Sequence, residues 1–177
     1  MKNKSDKKSP VSVLCSVLGT AILIAVILVC LPLTLSGVFG GQFFAVVSGS
    51  MEPEIPTGSL VYVKSTNPQE VKAGDIIAFH AARDPGTIVT HRVVENHEDE
   101  KELITKGDAN KTNDMNPTRY DYVVGKVEYH IPKIGFAAQM LTSLPGKVAL
   151  GSVIGLAIVL HLMADAIEKK DKRVNAE

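Results

Sequence analysis

Cysteine is nearly absent from this 177-residue chain, and the two that occur, Cys15 and Cys30, both fall within the first apolar run. They cannot staple the polar middle of the chain, so they say nothing of its redox compartment and read as small packing residues. Net charge is lacking too, with 19 Lys and Arg against 19 Asp and Glu. That balance gives no reason to expect nucleic acid as a partner. No repeat or low-complexity tract is present. His80, His97, His130 and His161 have no metal-ligand spacing with cysteine, so neither a metal nor another cofactor is expected.

Charge is missing altogether between Val11 and Leu35, where Leu, Ile and Val dominate. About 20 apolar residues cross a bilayer core, so a membrane helix is expected over 11–37. A cleavable secretory signal has the same basic start. Against it, the run exceeds the roughly 7–15 residues of such a core, and the clearest small-x-small site, Ser48-Gly49-Ser50, lies well past its end. A second apolar run, Val148 to Ala164, predicts another span over 147–165; being short, it also suits an interfacial position. Basic residues gather outside both runs, in tails 1–10 (Lys2, Lys4, Lys7, Lys8) and 166–177 (Lys169, Lys170, Lys172, Arg173). Such tails predict that both termini are cytoplasmic and that the middle, 38–146, is on the outer face.

What is present in that middle is short, β-rich segments. "LVYVK" (60–64), "DIIAFHA" (75–81), "IVTHRVVENH" (88–97), "ELITKGD" (102–108) and "YVVGKVEYHI" (122–131) are separated by Pro56, Gly58, Pro68, Gly74, Pro85-Gly86 and Asn116-Pro117. Close strand spacing without intervening helices predicts a mainly β domain, an antiparallel sheet or open barrel, flanked by N- and C-terminal transmembrane helices. About 100 residues suffice to bury a modest core.

Candidate chemistry begins at "VVSGSMEPEIPTG" (46–58), where Ser48 and Ser50 follow the first span. A serine hydroxyl is a poor nucleophile until a base takes its proton. In "IVTHRVV", His91 shares a strand face with Val89 and Val93, and an apolar setting favours the neutral imidazole that a general base requires. Lys106 is a rival base, since a desolvated lysine does the same job. "TKGDANKTND" then offers Asp108 and Asp114, either of which could hold an imidazole tautomer, though both also suit a solvated turn. Spacing alone does not establish a triad.

"SGSMEP" after an anchor, then "VTHRVV", then "TKGDANKTND", in that order, resembles the type I signal peptidases. The resemblance is narrower to the branch with histidine as base, found in the endoplasmic-reticulum complex, archaea and some Gram-positive bacteria. The common bacterial branch has lysine at the position of His91. The resemblance implies a serine endopeptidase with Ser50 as nucleophile, His91 as general base, Asp114 as the carboxylate that orients it and Asp108 as a second required acid. It leaves open which carboxylate faces the imidazole. Ser48 matches a hydroxyl of the oxyanion hole, with the Ser50 N–H as companion donor.

The substrates so implied are secreted preproteins with small residues at −1 and −3, added as a strand beside Phe44, Ala45, Val46 and Val47. The bilayer is the other partner, and "PKIGF" (132–136) is a weaker candidate for lipid contact. Ser50 lies only 15 residues beyond Leu35, near where a signal peptide's cleavage site emerges. A cell membrane, in a prokaryote, is the expected location. The alternative from another class is a non-catalytic, membrane-tethered β module that binds extended peptides.

Overall fold

Apolar and polar segments separate into two units of the computed structural model, which describes residues 9–82 and 84–174. The first unit holds α3 (Leu144–Val174) and, as far as Pro32, α1 (Pro10–Leu35). Both are long and apolar enough to cross a membrane. The 23 residues Pro10–Pro32 alone rise about 34 Å, more than a hydrocarbon core. α3 runs well past its apolar stretch, and a Lys172–Glu168 ion pair at i,i+4 spacing lies on its polar last turns.

Small and hydroxylated residues let these two helices meet. The buried Ser12 hydroxyl donates to the Ala164 carbonyl at 3.0 Å. One heptad along, a Cβ on Gly19 would sit 3.1 Å from the Ala157 carbonyl oxygen. Thr20 Oγ1 lies 3.5 Å from His161 Nε2 and donates to its own helix at Ser16. The order of these contacts makes the pair antiparallel, with polar atoms partnered from within as lipid demands.

The second unit, Leu33–Met140, is a seven-stranded antiparallel open sheet, as the pattern of short β segments predicts. Its strands are β1 (Gly41–Ala45), β2 (Leu60–Lys64), β3 (Ile76–Ala81), β4 (Asp84–His97), β5 (Glu102–Lys106), β6 (Thr118–Arg119) and β7 (Val123–Ile131). They lie in the order β1-β2-β7-β3-β4-β5-β6, so β1 is an edge strand. A short helix, α2 (Gly135–Thr142), follows β7.

Both faces of the central strands are covered. Val46, Met51, Ile55, Val61, Val63 and Ala78 form one apolar cluster, and Val71, Ile77, Phe79, Val93 and Leu103 form another. Adjacent residues of β3 thus serve opposite cores, which is why "IIAF" is apolar without alternation. On β4 alternation survives. His91 lies opposite Ile77 with Val93 on its face, while Arg92 lies opposite Ile76 on the other.

Candidate active site

His91 is held where β4 runs between β3 and β5, its ring edge-on to Phe79 at 6.1 Å between centroids. Only 8% of the residue is exposed. Nδ1 lies 2.6 Å from Asp114 Oδ2. Because an ionised carboxylate only accepts, this contact puts the proton on Nδ1 and leaves the Nε2 lone pair available.

Asp114 comes from the loop that follows β5. Its N–H donates to the Thr105 carbonyl at 2.8 Å, and the buried Thr105 Oγ1 donates to Oδ2 at 2.6 Å. Backbone and side chain of one strand residue therefore fix one carboxylate. Of the two acids the sequence offers, Asp114 meets the imidazole.

Asp108 faces Arg92 instead. The guanidinium makes a two-pronged contact, Nε to Oδ1 at 2.9 Å and Nη2 to Oδ2 at 2.7 Å, and its Nη1 donates to the Gly74 carbonyl at 2.8 Å. The hydrogen bonds that it donates to Asp108, and then the charges of Asp108 and Glu54, hold the Arg92 guanidinium above its ordinary value although burial opposes this. Two successive residues of β4 thus anchor two acids of one loop from opposite faces. Lys106 lies opposite Arg92 in the β4–β5 register, so it belongs to the face away from His91.

Ser50 sits in the turn between β1 and β2, and that turn is seated by the burial of Met51 and Ile55. Its carbonyl accepts the Ala109 N–H at 2.9 Å. Its hydroxyl lies 3.4 Å from that of Ser48. A Cβ on Gly107 would stand 2.6 Å from the Ser50 carbonyl oxygen, so only glycine lets the loop come this close. Among the described residues no hydrogen bond joins Ser50 Oγ to His91. The two are connected through the 107–114 loop, which grips the Ser50 backbone at one end and the imidazole at the other.

Phe44 and Ala45 end the edge strand β1, paired on one side with Val61 and Leu60. Past the strand end, Val46 still exchanges hydrogen bonds with Ser59 and Gly58, the latter at φ +83°. Val46 is buried in the core, whereas Val47 is exposed. A cavity of about 300 Å³ is lined by Phe79, Val89, His91, Asp114, Met115 and Tyr122 among others. Among the described residues no three His, Cys, Asp or Glu side chains converge as metal ligands would.

Sequence reasoning missed Arg92 and Thr105. Arg92 carried a signal, since it follows His91 on a strand and so turns a cation to the opposite face, where a carboxylate partner is needed. Thr105 carried one as well, since it shares its face of "ELITK" with the buried Leu103.

A family model described as "Signal peptidase, peptidase S26" matches residues 16–97. The chain is 46% identical over 83 residues to "Signal peptidase I W" of Bacillus subtilis (strain 168), covering 45% of this chain and 43% of that protein, so it spans less than half of that relative. It is 32% identical over 127 residues to "Signal peptidase complex catalytic subunit SEC11" of Colletotrichum graminicola, covering 66% of this chain and 73% of the relative. To "Signal peptidase complex catalytic subunit SEC11C" of Rattus norvegicus it is 31% identical over 126 residues, 65% of each.

Proposed function

Since the chain belongs to the signal peptidase family, peptidase S26, we propose that it is a membrane-held serine endopeptidase that removes N-terminal signal peptides from secreted precursors. Ser50 Oγ attacks the carbonyl carbon of the scissile bond, and His91 Nε2 takes the hydroxyl proton. The tetrahedral intermediate collapses as His91 returns that proton to the leaving amine, and water then repeats the cycle on the Ser50 ester. Asp114 keeps the proton on Nδ1 and balances the imidazolium that forms. The Ser50 N–H and the Ser48 hydroxyl receive the oxyanion. Asp108 is a positioning residue that pins the loop through Arg92.

The observation that carries this reading is the 2.6 Å His91–Asp114 contact on a loop whose other end is bonded to the Ser50 carbonyl. His91 is preferred to Lys106 as base because the register sets Lys106 on the other face.

The precursor adds along the open edge of β1 at Phe44 and Ala45 and continues past Val46 and Val47, with small residues at −1 and −3. The helices α1 and α3 anchor the enzyme in a cell membrane, with both tails cytoplasmic and residues 38–146 on the outer face. The test is incubation of the full chain, solubilised in detergent, with an Ala-x-Ala precursor beside Ser50→Ala and His91→Ala. Cleavage by wild type alone is expected. Normal cleavage by either variant overturns the assignment, and binding without cleavage by wild type indicates a peptide-binding module instead.

A further inference from the structure

Behind the His91–Asp114 pair stands a chain of two threonine hydroxyls. Thr105 Oγ1 donates to Asp114 Oδ2 at 2.6 Å, the same oxygen that faces His91 Nδ1. Thr118 Oγ1 lies 3.4 Å from Thr105 Oγ1. Thr105 is wholly buried and Thr118 is 4% exposed. They come from neighbouring strands, β5 and β6, at the end of the sheet.

We propose that Thr105, backed by Thr118, is a positioning residue of the reaction. It sets the Asp114 carboxylate so that Oδ2 stays in line with His91 Nδ1. The proposal rests on the reading of Ser50, His91 and Asp114 given above.

Proton counting fixes the direction of the chain. A threonine hydroxyl has one proton and two lone pairs. Thr105 spends its proton on the carboxylate, so in its contact with Thr118 it can only accept, and Thr118 donates. The sequence of donation is Thr118 to Thr105 to Asp114, with His91 donating to the same oxygen from the other side. Each donation polarises the next hydroxyl, and burial strengthens the effect. Two donors converging on Oδ2 keep that oxygen an acceptor, aimed where an imidazolium would need it. The same residue holds Asp114 twice, since its carbonyl takes the Asp114 N–H at 2.8 Å. That backbone bond does not use the side chain at 105, so valine or serine there removes or keeps the hydroxyl without releasing the loop.

Four variants of the full chain test this: Thr105→Val, Thr105→Ser, Asp114→Asn and the double variant Thr105→Val/Asp114→Asn. Valine keeps the shape and loses the hydroxyl. We expect kcat to fall on the order of 10- to 100-fold with KM unchanged. Serine should restore most of kcat. In the Asp114→Asn background, Thr105→Val should cost little more, because both act through one carboxylate. A Thr105→Val enzyme with wild-type kcat overturns the proposal. So does equal loss in Thr105→Ser and Thr105→Val together with a matching fall in thermal midpoint, which marks a packing role only. If instead Ser50→Ala or His91→Ala still cleaves, the underlying reading of the site has failed. A Thr118→Val variant gives a second measurement, expected to lower kcat less than Thr105→Val, and an effect larger than that of Thr105→Val also overturns the order of donation.

Discussion

Asp114 Oδ2 stands 2.6 Å from His91 Nδ1, whereas the nearby Asp108 spends both of its carboxylate oxygens on Arg92. Two acids six residues apart in one loop therefore have different partners, and on the proposed reading one acts electrostatically at the imidazole and the other mechanically. Asp114→Asn should lower kcat about a thousandfold or more, because an amide can donate to Nδ1 and so favours the wrong tautomer. Single-turnover cleavage of a signal-bearing precursor measures this, and the thermal midpoint should stay close to wild type.

Arg92→Lys should act through stability and loop position. An ammonium cannot reproduce the two-pronged contact with Asp108 or reach Gly74 at the same time. The Arg92 side chain is 34% exposed, so screening limits the loss to about 1–2 kcal/mol. Urea unfolding in detergent should register that loss, with a smaller fall in kcat than for Asp114→Asn.

Gly107→Ala should impair activity more than stability. The added methyl would meet the Ser50 carbonyl oxygen at 2.6 Å, backbone that cannot simply swing aside. Displacing the Ser50 turn by this much should cost on the order of 100-fold in kcat. A kinetic comparison with unchanged unfolding midpoints would bear this out, and full activity would contradict it.

Ser48→Ala should reduce kcat about 100- to 1,000-fold while leaving KM near wild type, as loss of an oxyanion donor does. Covalent labelling of Ser50 by an active-site acylating probe should slow in parallel. Unaltered turnover would remove Ser48 from the oxyanion hole.

Acid stability should depend in part on Asp75. Burial pushes its carboxyl up, but hydrogen bonds from Lys126 and the Lys72 N–H, with the charges of both lysines, bring it below the ordinary 3.8. A depressed folded value means the pair stabilises above 3.8 and that this contribution is lost as pH falls through the lower folded value. Asp75→Asn should therefore be less stable than wild type at neutral pH, by under about 1 kcal/mol given the partial exposure. The gap should close at the acid end of a thermal-midpoint series against pH.

Much of the sheet was legible because its strands carry their own punctuation. "LVYVK" is β2 residue for residue, and "YVVGKVEYHI" differs from β7 by one. The two-residue β6 was not legible, since Thr118 and Arg119 form a strand only by pairing with Leu103 and Glu102. Nor was α2, whose eight residues "GFAAQMLT" are too few to show a clear helical period. At the site, His91 stood out by its apolar face, but the choice between Asp108 and Asp114 is made by β4 alternation acting across the β5 register. That is a tertiary fact, and spacing along the loop does not encode it.

The open edge of β1 has a metric consequence. A pleated strand turns alternate side chains to opposite sides, with a period of two residues. On the proposed reading, a precursor laid along Gly41–Ala45 toward Ser50 shows its last and third-last residues before the cut to one side, and the residue between them to the other. Selection for small groups then falls on every second position, and the intervening one is left unread. The pleat itself counts, so the enzyme can accept precursors with little sequence in common.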